Sequence, residues 1–287
     1  MKKAYLLPRL LLAPALALYL AFSVFPLLRS VLISFQHYAM ESPDAPTWAG
    51  LANYTRLFHD PAMLHSALVT AGYALITVPI VILGALTAAL SIHHSGRIAS
   101  WVRPIVFLPM VVAPSIIAVI WFTLFDGGRG ALNWALAVVS LHFDWLGSSL
   151  ALPSVAIAQA WGGIAFGTLL LTVALTAIPD ELYEAATVDG AGPVGAFFSI
   201  TLPGLAKTLA LLLVLTTVGA MRDFTYPFVI TKGGPASATS TYTYQIYRTA
   251  FIESPLDLGY ACAMSVVFAF VLAAISLALL KLRNRGI

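Results

Sequence analysis

The sequence predicts an all-α, polytopic membrane protein with six transmembrane helices. Of its 287 residues, 60% are hydrophobic and only 9% are charged, and the mean hydropathy is +0.91. A soluble domain carries about 25% charged residues, so this chain is suited to lipid rather than water. A hydrocarbon core about 30 Å thick takes roughly 20 apolar residues in a helix, and the chain has six such stretches.

The six stretches form a single predicted transmembrane domain over residues 1–287. They lie near residues 10–34, 67–92, 104–125, 152–178, 205–221 and 260–280. The first follows Met1-Lys2-Lys3 and imitates a signal peptide, but its apolar run continues past Val31. We therefore expect an uncleaved first membrane helix.

Basic residues indicate how the helices are oriented. With the N-terminus inside, the cytoplasm receives nine lysine and arginine residues and the outside receives six. The inside residues cluster at both ends of the chain, which follows the positive-inside rule. The prediction is that both termini are cytoplasmic and that the loop over residues 179–204 faces the cytoplasm.

That cytoplasmic loop has the local signals of two short helices. Pro179 ends the fourth membrane helix, and Asp180 can cap a new helix that carries Glu184. Gly190 is placed to end this helix in a left-handed conformation, and Pro193 can open a second one. We expect a helix-turn-helix that lies along the membrane surface.

One face of the first loop helix is suited to a partner protein. Leu182, Ala185, Ala186 and Asp189 fall on one stripe at helical spacing. Small alanine side chains let a partner backbone approach closely, and Glu184 beside them could pair with a cation on that partner. The alternative is an ordinary interfacial helix that packs against its own bundle.

Several motifs together carry a family resemblance. Glu-Ala-Ala at 184–186, Gly190 and Ile-x-Leu-Pro ending at Pro203 occur at the spacing of a known loop. The pattern resembles the EAA loop of permease subunits in binding-protein-dependent ATP-binding-cassette (ABC) importers of the maltose-transporter kind. Four more stretches are similar to sugar-type permeases, and the last favours the first of the two permease types: residues 50–54, 126–130, 233–235 and 247–251.

The resemblance implies a type I ABC importer permease fold with a cytoplasmic coupling helix and alternating access. The expected partners in a bacterial inner membrane are a second homologous permease, two copies of a cytoplasmic ATPase and an extracytoplasmic solute-binding protein. ATP and Mg would bind to the ATPase subunits, so this chain is expected to hold no cofactor, to catalyse no reaction and to bind no nucleic acid. The positions implied in ATPase coupling are Glu184, Ala185, Ala186, Asp189, Gly190, Pro193, Leu202 and Pro203.

The resemblance also implies solute contacts on the fourth and fifth helices, in a pathway for a sugar, oligosaccharide or polyol. These positions are Gln159, Gly162, Gly163, Phe166, Thr216, Gly219, Ala220 and Asp223. Two polar groups and a stacking ring, in Gln159, Asp223 and Phe166, have suitable chemistry. Gly219 and Ala220 replace larger side chains of the family, so either the pocket is wider or this subunit contributes less to it.

Other possibilities remain open from the residues alone. Arg222 beside the pocket would suit an anionic polyol such as glycerol phosphate. The threonine hydroxyls of these helices could instead bond back to their own helices. A self-sufficient, ion-coupled secondary transporter would need a midplane acid or a chain of protonatable groups, and none is visible. A structural membrane scaffold would leave the polar groups facing no cavity.

Some patterns in the chain imitate motifs of other functions. Gly190-x-Gly192-x-x-Gly195 matches the dinucleotide-binding pattern, but no strand precedes it and a proline interrupts it. Cys262 is the only cysteine, and the histidines do not form a metal-binding pattern. Gly162 and Gly167-Thr168 imitate a P-loop but lack its lysine. Gly163 and Gly167 are better explained as a small-residue face for close helix packing.

Overall fold

The computed structural model describes residues 6–41, 45–94 and 96–286, which are mainly helical. Lys2 and Lys3, on which the predicted orientation partly rests, lie outside the described residues. The chain divides into two compact units, residues 1–64 with 245–271 and residues 65–244 with 272–287. One transmembrane domain over residues 1–287 stays a prediction.

Helices follow the order of the apolar stretches. In chain order they are α1 (Leu6–Tyr19), α2 (Phe25–Ile33), α3 (Ala52–His59), α4 (Pro61–His94), α5 (Gly96–Val111), α6 (Pro114–Leu124), α7 (Ala131–Leu136), α8 (Ala151–Thr176), α9 (Asp180–Val188), α10 (Pro193–Ala196), α11 (Leu202–Met221), α12 (Tyr242–Phe251) and α13 (Leu258–Gly286). Single π-helical turns occupy Leu20–Val24, Phe197–Thr201 and Pro227–Thr231, and a 3-10 turn occupies Ala137–Val139. The short strands β1 (Gln36–His37) and β2 (Thr47–Trp48) pair antiparallel.

Hydrogen bonds of buried or charged side chains hold the first unit together. The amide nitrogen of Asn53 on α3 donates to the carbonyl oxygens of Ser34 and Gln36, both at 2.9 Å. Arg56 forms an ion pair with Asp257 at 2.8 Å. Asn53 thus attaches α3 to both the end of α2 and β1. These bonds fix the direction of the chain that leaves the first apolar helix.

Among the described residues, five helical segments are long and apolar enough to cross a membrane. They are Leu12–Ile33, Pro61–His93, Ala151–Thr176, Pro193–Met221 and Leu258–Lys281. A sixth span results if the end of α5 and α6 are counted together. The all-α prediction of six spans is thus confirmed within this range, and the helices begin and end within a few residues of the expected positions, except at the second, third and fifth stretches.

The third predicted helix, over residues 104–125, is wrong as a continuous element. Between the segments Arg103–Val111 and Pro114–Leu124 the chain bends by 115°. Pro114 has no backbone N–H and restricts the preceding residue to extended backbone. Ala113 accordingly has φ −62° and ψ 140°, which ends α5 and starts α6 in a new direction.

Helix α8 is central to the second unit and approaches α4 closely through glycine. A Cβ atom added to Gly163 would lie 2.7 Å from Cγ2 of Val81, and one added to Gly167 would lie 2.7 Å from Cβ of Ala85. Such distances leave no room for a side chain, so the predicted close-packing face is confirmed. Next to it, buried apolar residues of α8 and α11 pack together, including Leu171 and Leu212.

Candidate functional site

A cavity of about 370 Å³ lies in the second unit, among α5, α6, α8, α11 and the segment after α11. Seven of the eight predicted solute positions line it: Gln159, Gly162, Gly163, Phe166, Thr216, Gly219 and Ala220. They come together because Gln159, Gly163 and Phe166 follow one another at spacings of four and three residues on α8. On α11, Gly219 and Ala220 follow Thr216 by three and four residues. One face of each helix is therefore turned to the same space.

Glycine residues create part of this volume. A Cβ atom added to Gly219 would have nothing within 4 Å, and one added to Gly162 would lie 3.6 Å from the hydroxyl oxygen of Tyr226. Glycine costs an exposed helix about 1 kcal/mol relative to alanine. At Gly219 a Cβ atom would meet no atom of the described chain, so packing within this chain does not require glycine there. The missing side chain leaves open space in the cavity.

The polar groups at the cavity are few. The side-chain nitrogen of Gln159 donates to the carbonyl oxygen of Gly219 at 3.5 Å. Its buried Oε1 has no hydrogen-bond partner within the described part of the chain. The hydroxyl of Thr216 bonds back to the carbonyl oxygen of Leu212 at 2.7 Å, as the alternative for the threonines expects. Thr168, on α8, bonds back to Ile164 in the same way.

The structure places the eighth predicted position, Asp223, outside the cavity lining. Its carboxylate accepts hydrogen bonds from the hydroxyl of Tyr73 at 2.8 Å and from the backbone N–H of Thr225 at 3.1 Å. Its carbonyl oxygen accepts one from the hydroxyl of Thr243 at 2.7 Å. Asp223 thus ties α4 to the segment after α11, and this network holds its side chain outside the cavity lining.

Asp223 lies two residues beyond the apolar span that ends at Met221. Burial raises the pKa of Asp223 to about 6, and the Tyr73 hydrogen bond opposes this rise. Since the unfolded value is about 3.9, the folded chain binds more protons between these two pKa values, and its stability falls as the pH rises through this window. Above the folded pKa the contribution of this group to the stability no longer changes with pH.

We expect Asp223→Asn to remove this pH dependence while its side-chain oxygen still accepts from Tyr73. Thermal unfolding of the wild type should show a stability loss below about 3 kcal/mol between pH 4 and 7, relative to the variant, at about 1.4 kcal/mol per pKa unit. The measurement is the unfolding temperature of both chains across this range. Parallel curves for the two chains would contradict the assigned pKa.

The N-cap of α9, the first helix of the EAA loop, is one residue earlier than predicted. Pro179 occupies the N-cap position with φ −63° and ψ 136°, and Asp180 is the first residue of α9 without a side-chain capping bond. Asp180 as the cap is therefore wrong, because the extended backbone required before the helix is already supplied by Pro179. Asp180 and Glu181 lie in the first turn, where the helix dipole favours negative charge.

The end of α9 agrees with the sequence. Gly190 has φ +80°, its N–H donates to the carbonyl oxygen of Thr187, and the N–H of Ala191 donates to that of Ala186. This pair of bonds is a Schellman motif, which needs a left-handed residue at the position of Gly190. No atom lies within 4 Å of an added Cβ at Gly190, so backbone conformation rather than space requires glycine there.

Exposure divides the predicted alanine stripe of α9 in two. Ala185 and Glu184 are exposed together with Leu182 and Val188, whereas Ala186 is half-buried. The half-buried side also includes Tyr183, whose hydroxyl shares a hydrogen bond of 3.0 Å with that of Thr201. The Tyr183 contact turns that side toward the chain, and the contact of Ala186 with a partner stays a prediction. The outward side keeps Glu184 and Ala185.

The second half of the loop does not form a separate surface helix. Pro193 begins α10, which continues through a π turn into α11, and the apolar span runs over Pro193–Met221. Leu202 and Pro203 therefore open the regular part of the membrane helix. The helix-turn-helix prediction is confirmed for α9 and its turn and wrong for a second surface helix, because proline at a first turn does not stop the helix that follows.

Sequence comparison identifies the family. Residues 80–285 match the family of binding-protein-dependent transport system inner membrane components. The chain belongs to this family of ABC importer permeases. It is 33% identical to the probable ABC transporter permease protein YurN of Bacillus subtilis (strain 168), over 98% of this chain and 97% of that protein. It is 34% identical to the sn-glycerol-3-phosphate transport system permease protein UgpA of Escherichia coli O157:H7, over 94% and 91%.

Solved structures support the same fold for this permease. A chain of a bacterial ABC transporter involved in the import of the acidic polysaccharide alginate aligns with a TM-score of 0.82 and 24% identity, over 99% of this chain and 97% of that one. A second alginate transporter structure, in complex with a pentasaccharide-bound periplasmic protein, gives 0.81 and 22%, over 97% and 93%. The chain is thus a multi-pass transport subunit with a type I importer permease fold, not a secondary transporter or a scaffold.

Sequence reasoning missed the part of the cavity that the bent segment supplies. Pro109, Met110 and Val112 near the end of α5 and Ile117 on α6 line the cavity, as does Tyr226 after α11. Prolines at 104, 109 and 114 within one apolar stretch were a usable signal. Three prolines in eleven residues disfavour a straight helix, and membrane proteins tolerate irregular backbone mainly where it borders protein or a cavity.

Proposed function

We propose that this permease forms half of the pathway for a neutral sugar, oligosaccharide or polyol. The observation that carries the proposal is the uncharged cavity lined by predicted solute positions. None of the described residues that line it is an Asp, Glu, Lys or Arg. The unpaired Oε1 of Gln159 can accept a hydrogen bond from a solute hydroxyl, and Phe166 offers a ring as flat apolar surface. A few polar groups in an apolar wall are typical of small-molecule sites.

Glycerol phosphate is the second candidate substrate. It is favoured by the 34% identity with UgpA, whose name specifies sn-glycerol 3-phosphate. A phosphate group would need a cation such as Arg222, which is exposed and three residues beyond Gly219. Because Arg222 is not among the lining residues, the charge would have to come from a side-chain movement or from the second permease.

The proposed assembly contains this chain, a second homologous permease, two copies of a cytoplasmic ATPase and an extracytoplasmic solute-binding protein. The exposed side of α9, with Glu184 and Ala185, would contact one ATPase. ATP and Mg would bind to the ATPases, and this chain would receive the movement they produce. Both termini would be cytoplasmic. The complex of the alginate transporter with a periplasmic protein supports the binding-protein partner by analogy.

Reconstitution of the complete complex in proteoliposomes tests the substrate class. Uptake of glucose, maltose, glycerol and sn-glycerol 3-phosphate is measured together with ATP hydrolysis. We expect a neutral compound to be taken up and to stimulate hydrolysis, and the phosphate ester to compete poorly. Selective uptake of sn-glycerol 3-phosphate would favour the second candidate. Uptake by this chain without ATPase and binding protein would contradict the importer function itself.

A further inference from the structure

A buried donor without an acceptor lies in the aromatic cluster that packs against Ile117 and Tyr226, two residues of the cavity lining. Trp121 lies on α6, one helical turn after Ile117, which lines the cavity. Its ring packs edge to face against Trp161 of α8 with centroids 6.1 Å apart, and against Phe125 at 5.1 Å. The buried indole Nε1 of Trp121 has no hydrogen-bond partner in the part of the chain that the structure describes.

An indole N–H that is buried and unpaired is costly for a protein to keep. Phenylalanine would supply an aromatic ring without that cost. The hydroxyls of Thr77 and Thr172 are also unpaired among the described residues, but a hydroxyl can rotate toward another acceptor, whereas the ring fixes the direction of the indole N–H. The N–H of Trp121 therefore calls for an acceptor that the described chain does not supply.

The neighbouring helix presents the complementary group. Gln159 lies on α8, two residues before Trp161, and its unpaired oxygen is an acceptor. Helices α6 and α8 meet at the cavity, where Cδ1 of Ile117 lies 4.0 Å from the Cβ position of Gly162. A hydroxyl group both accepts and donates hydrogen bonds, so a polyhydroxylated solute can satisfy both helices with its own groups.

We propose that the indole N–H of Trp121 donates a hydrogen bond to a solute hydroxyl during transport, and that the Trp161 ring forms the adjoining apolar surface. This assignment rests on the proposed function, because it requires a neutral solute with hydroxyl groups. It makes Trp121 a specificity-determining residue behind the cavity lining, in the aromatic cluster next to Ile117. Because the N–H is buried in this structure, the proposed contact requires α6 and α8 to separate during the transport cycle.

Trp121→Phe tests the assignment because it keeps an aromatic ring and removes the N–H donor, together with three ring atoms that the matched control below also loses. In proteoliposomes with saturating, solute-loaded binding protein, we expect initial uptake of the transported neutral probe, glucose or maltose, to fall about threefold to tenfold, as loss of one neutral hydrogen bond predicts. The unfolding temperature of the complex should fall less than in Trp145→Phe, because both variants lose the same ring atoms but only Trp145 also loses a hydrogen bond.

Trp145→Phe is the matched control within the same aromatic cluster. The N–H of Trp145 donates to Oδ1 of Asn133 at 3.0 Å, and its ring packs against Phe125 at 5.7 Å. This variant should lower the unfolding temperature and leave uptake unchanged once the amount of folded complex is matched. If Trp121→Phe behaved like Trp145→Phe in both measurements, its role would be structural and the assignment would be overturned.

Monodeoxy analogues of glucose and maltose identify the hydroxyl. In the wild type the analogue that lacks the contacted hydroxyl should be taken up more slowly than its parent, and in Trp121→Phe this difference should disappear. If uptake by Trp121→Phe stayed within twofold of the wild type, and the analogue were still taken up more slowly than its parent, the assignment to Trp121 would be overturned and the proposed function would stand. Absence of uptake of every neutral probe by the wild type would overturn the proposed function and this assignment with it.

Discussion

Gly219→Trp is expected to lower solute uptake by at least about 100-fold, equivalent to about 2.8 kcal/mol. An added Cβ at Gly219 has nothing within 4 Å, so an indole at this position can enter the cavity of about 370 Å³ without displacing this chain. Assembly with the ATPase and basal ATP hydrolysis should persist, because the substitution is remote in sequence from α9. The measurements are uptake by proteoliposomes and co-purification of the ATPase.

Two alanine variants separate blockage from disturbance of the helices. Gly219→Ala adds a methyl group in open space and should transport like the wild type, with a helix more stable by up to about 1 kcal/mol. Gly163→Ala makes the same chemical change where Cγ2 of Val81 lies 2.7 Å away, so it should destabilise the chain by about 1–3 kcal/mol. Normal uptake by Gly219→Trp would mean that this cavity is not on the solute pathway.

Local rules predicted the elements whose cause is local. The Schellman motif at Gly190 could be predicted because a left-handed backbone is a property of one residue and its neighbours. The glycine contacts of Gly163 and Gly167 followed from small residues four positions apart on one helix. Positions carried over from the family likewise placed seven residues around one cavity, because helical periodicity keeps them on common faces.

Features that depend on distant contacts could not be predicted in this way. Asp223 has the chemistry of a solute ligand, but its carboxylate binds Tyr73, 150 positions away in the chain, and stays outside the cavity lining. The same holds for Ala186, since Tyr183 pairs with Thr201 across the loop and turns that side of α9 inward. In both cases a tertiary hydrogen bond decides between two faces that the sequence leaves equivalent.

The second large effect is expected from Glu184→Lys, which should uncouple ATP hydrolysis from transport or release the ATPase. Glu184 is exposed on α9 beside the exposed side chains of Ala185 and Val188, the latter 87% accessible. A hydrogen bond to a charged group contributes about 1.5–3 kcal/mol, and reversing the charge adds repulsion. Uptake should fall at least about tenfold, which corresponds to 1.4 kcal/mol, and co-purification of the ATPase reports assembly.

Glu181→Lys is the matched control, because it makes the same charge reversal on the same helix one turn earlier. Glu181 lies in the first turn of α9, so the variant should weaken the helix by about 0.3–1 kcal/mol through the helix dipole and keep transport. Glu184→Lys should leave the unfolding temperature of the permease nearly unchanged, since exposed substitutions shift stability by about 0.5 kcal/mol or less. A lysine or arginine to glutamate change on the ATPase that restores uptake to Glu184→Lys, while Glu181→Lys transports without it, would identify the partner cation. Wild-type uptake and ATPase binding by Glu184→Lys would remove the coupling role from this residue.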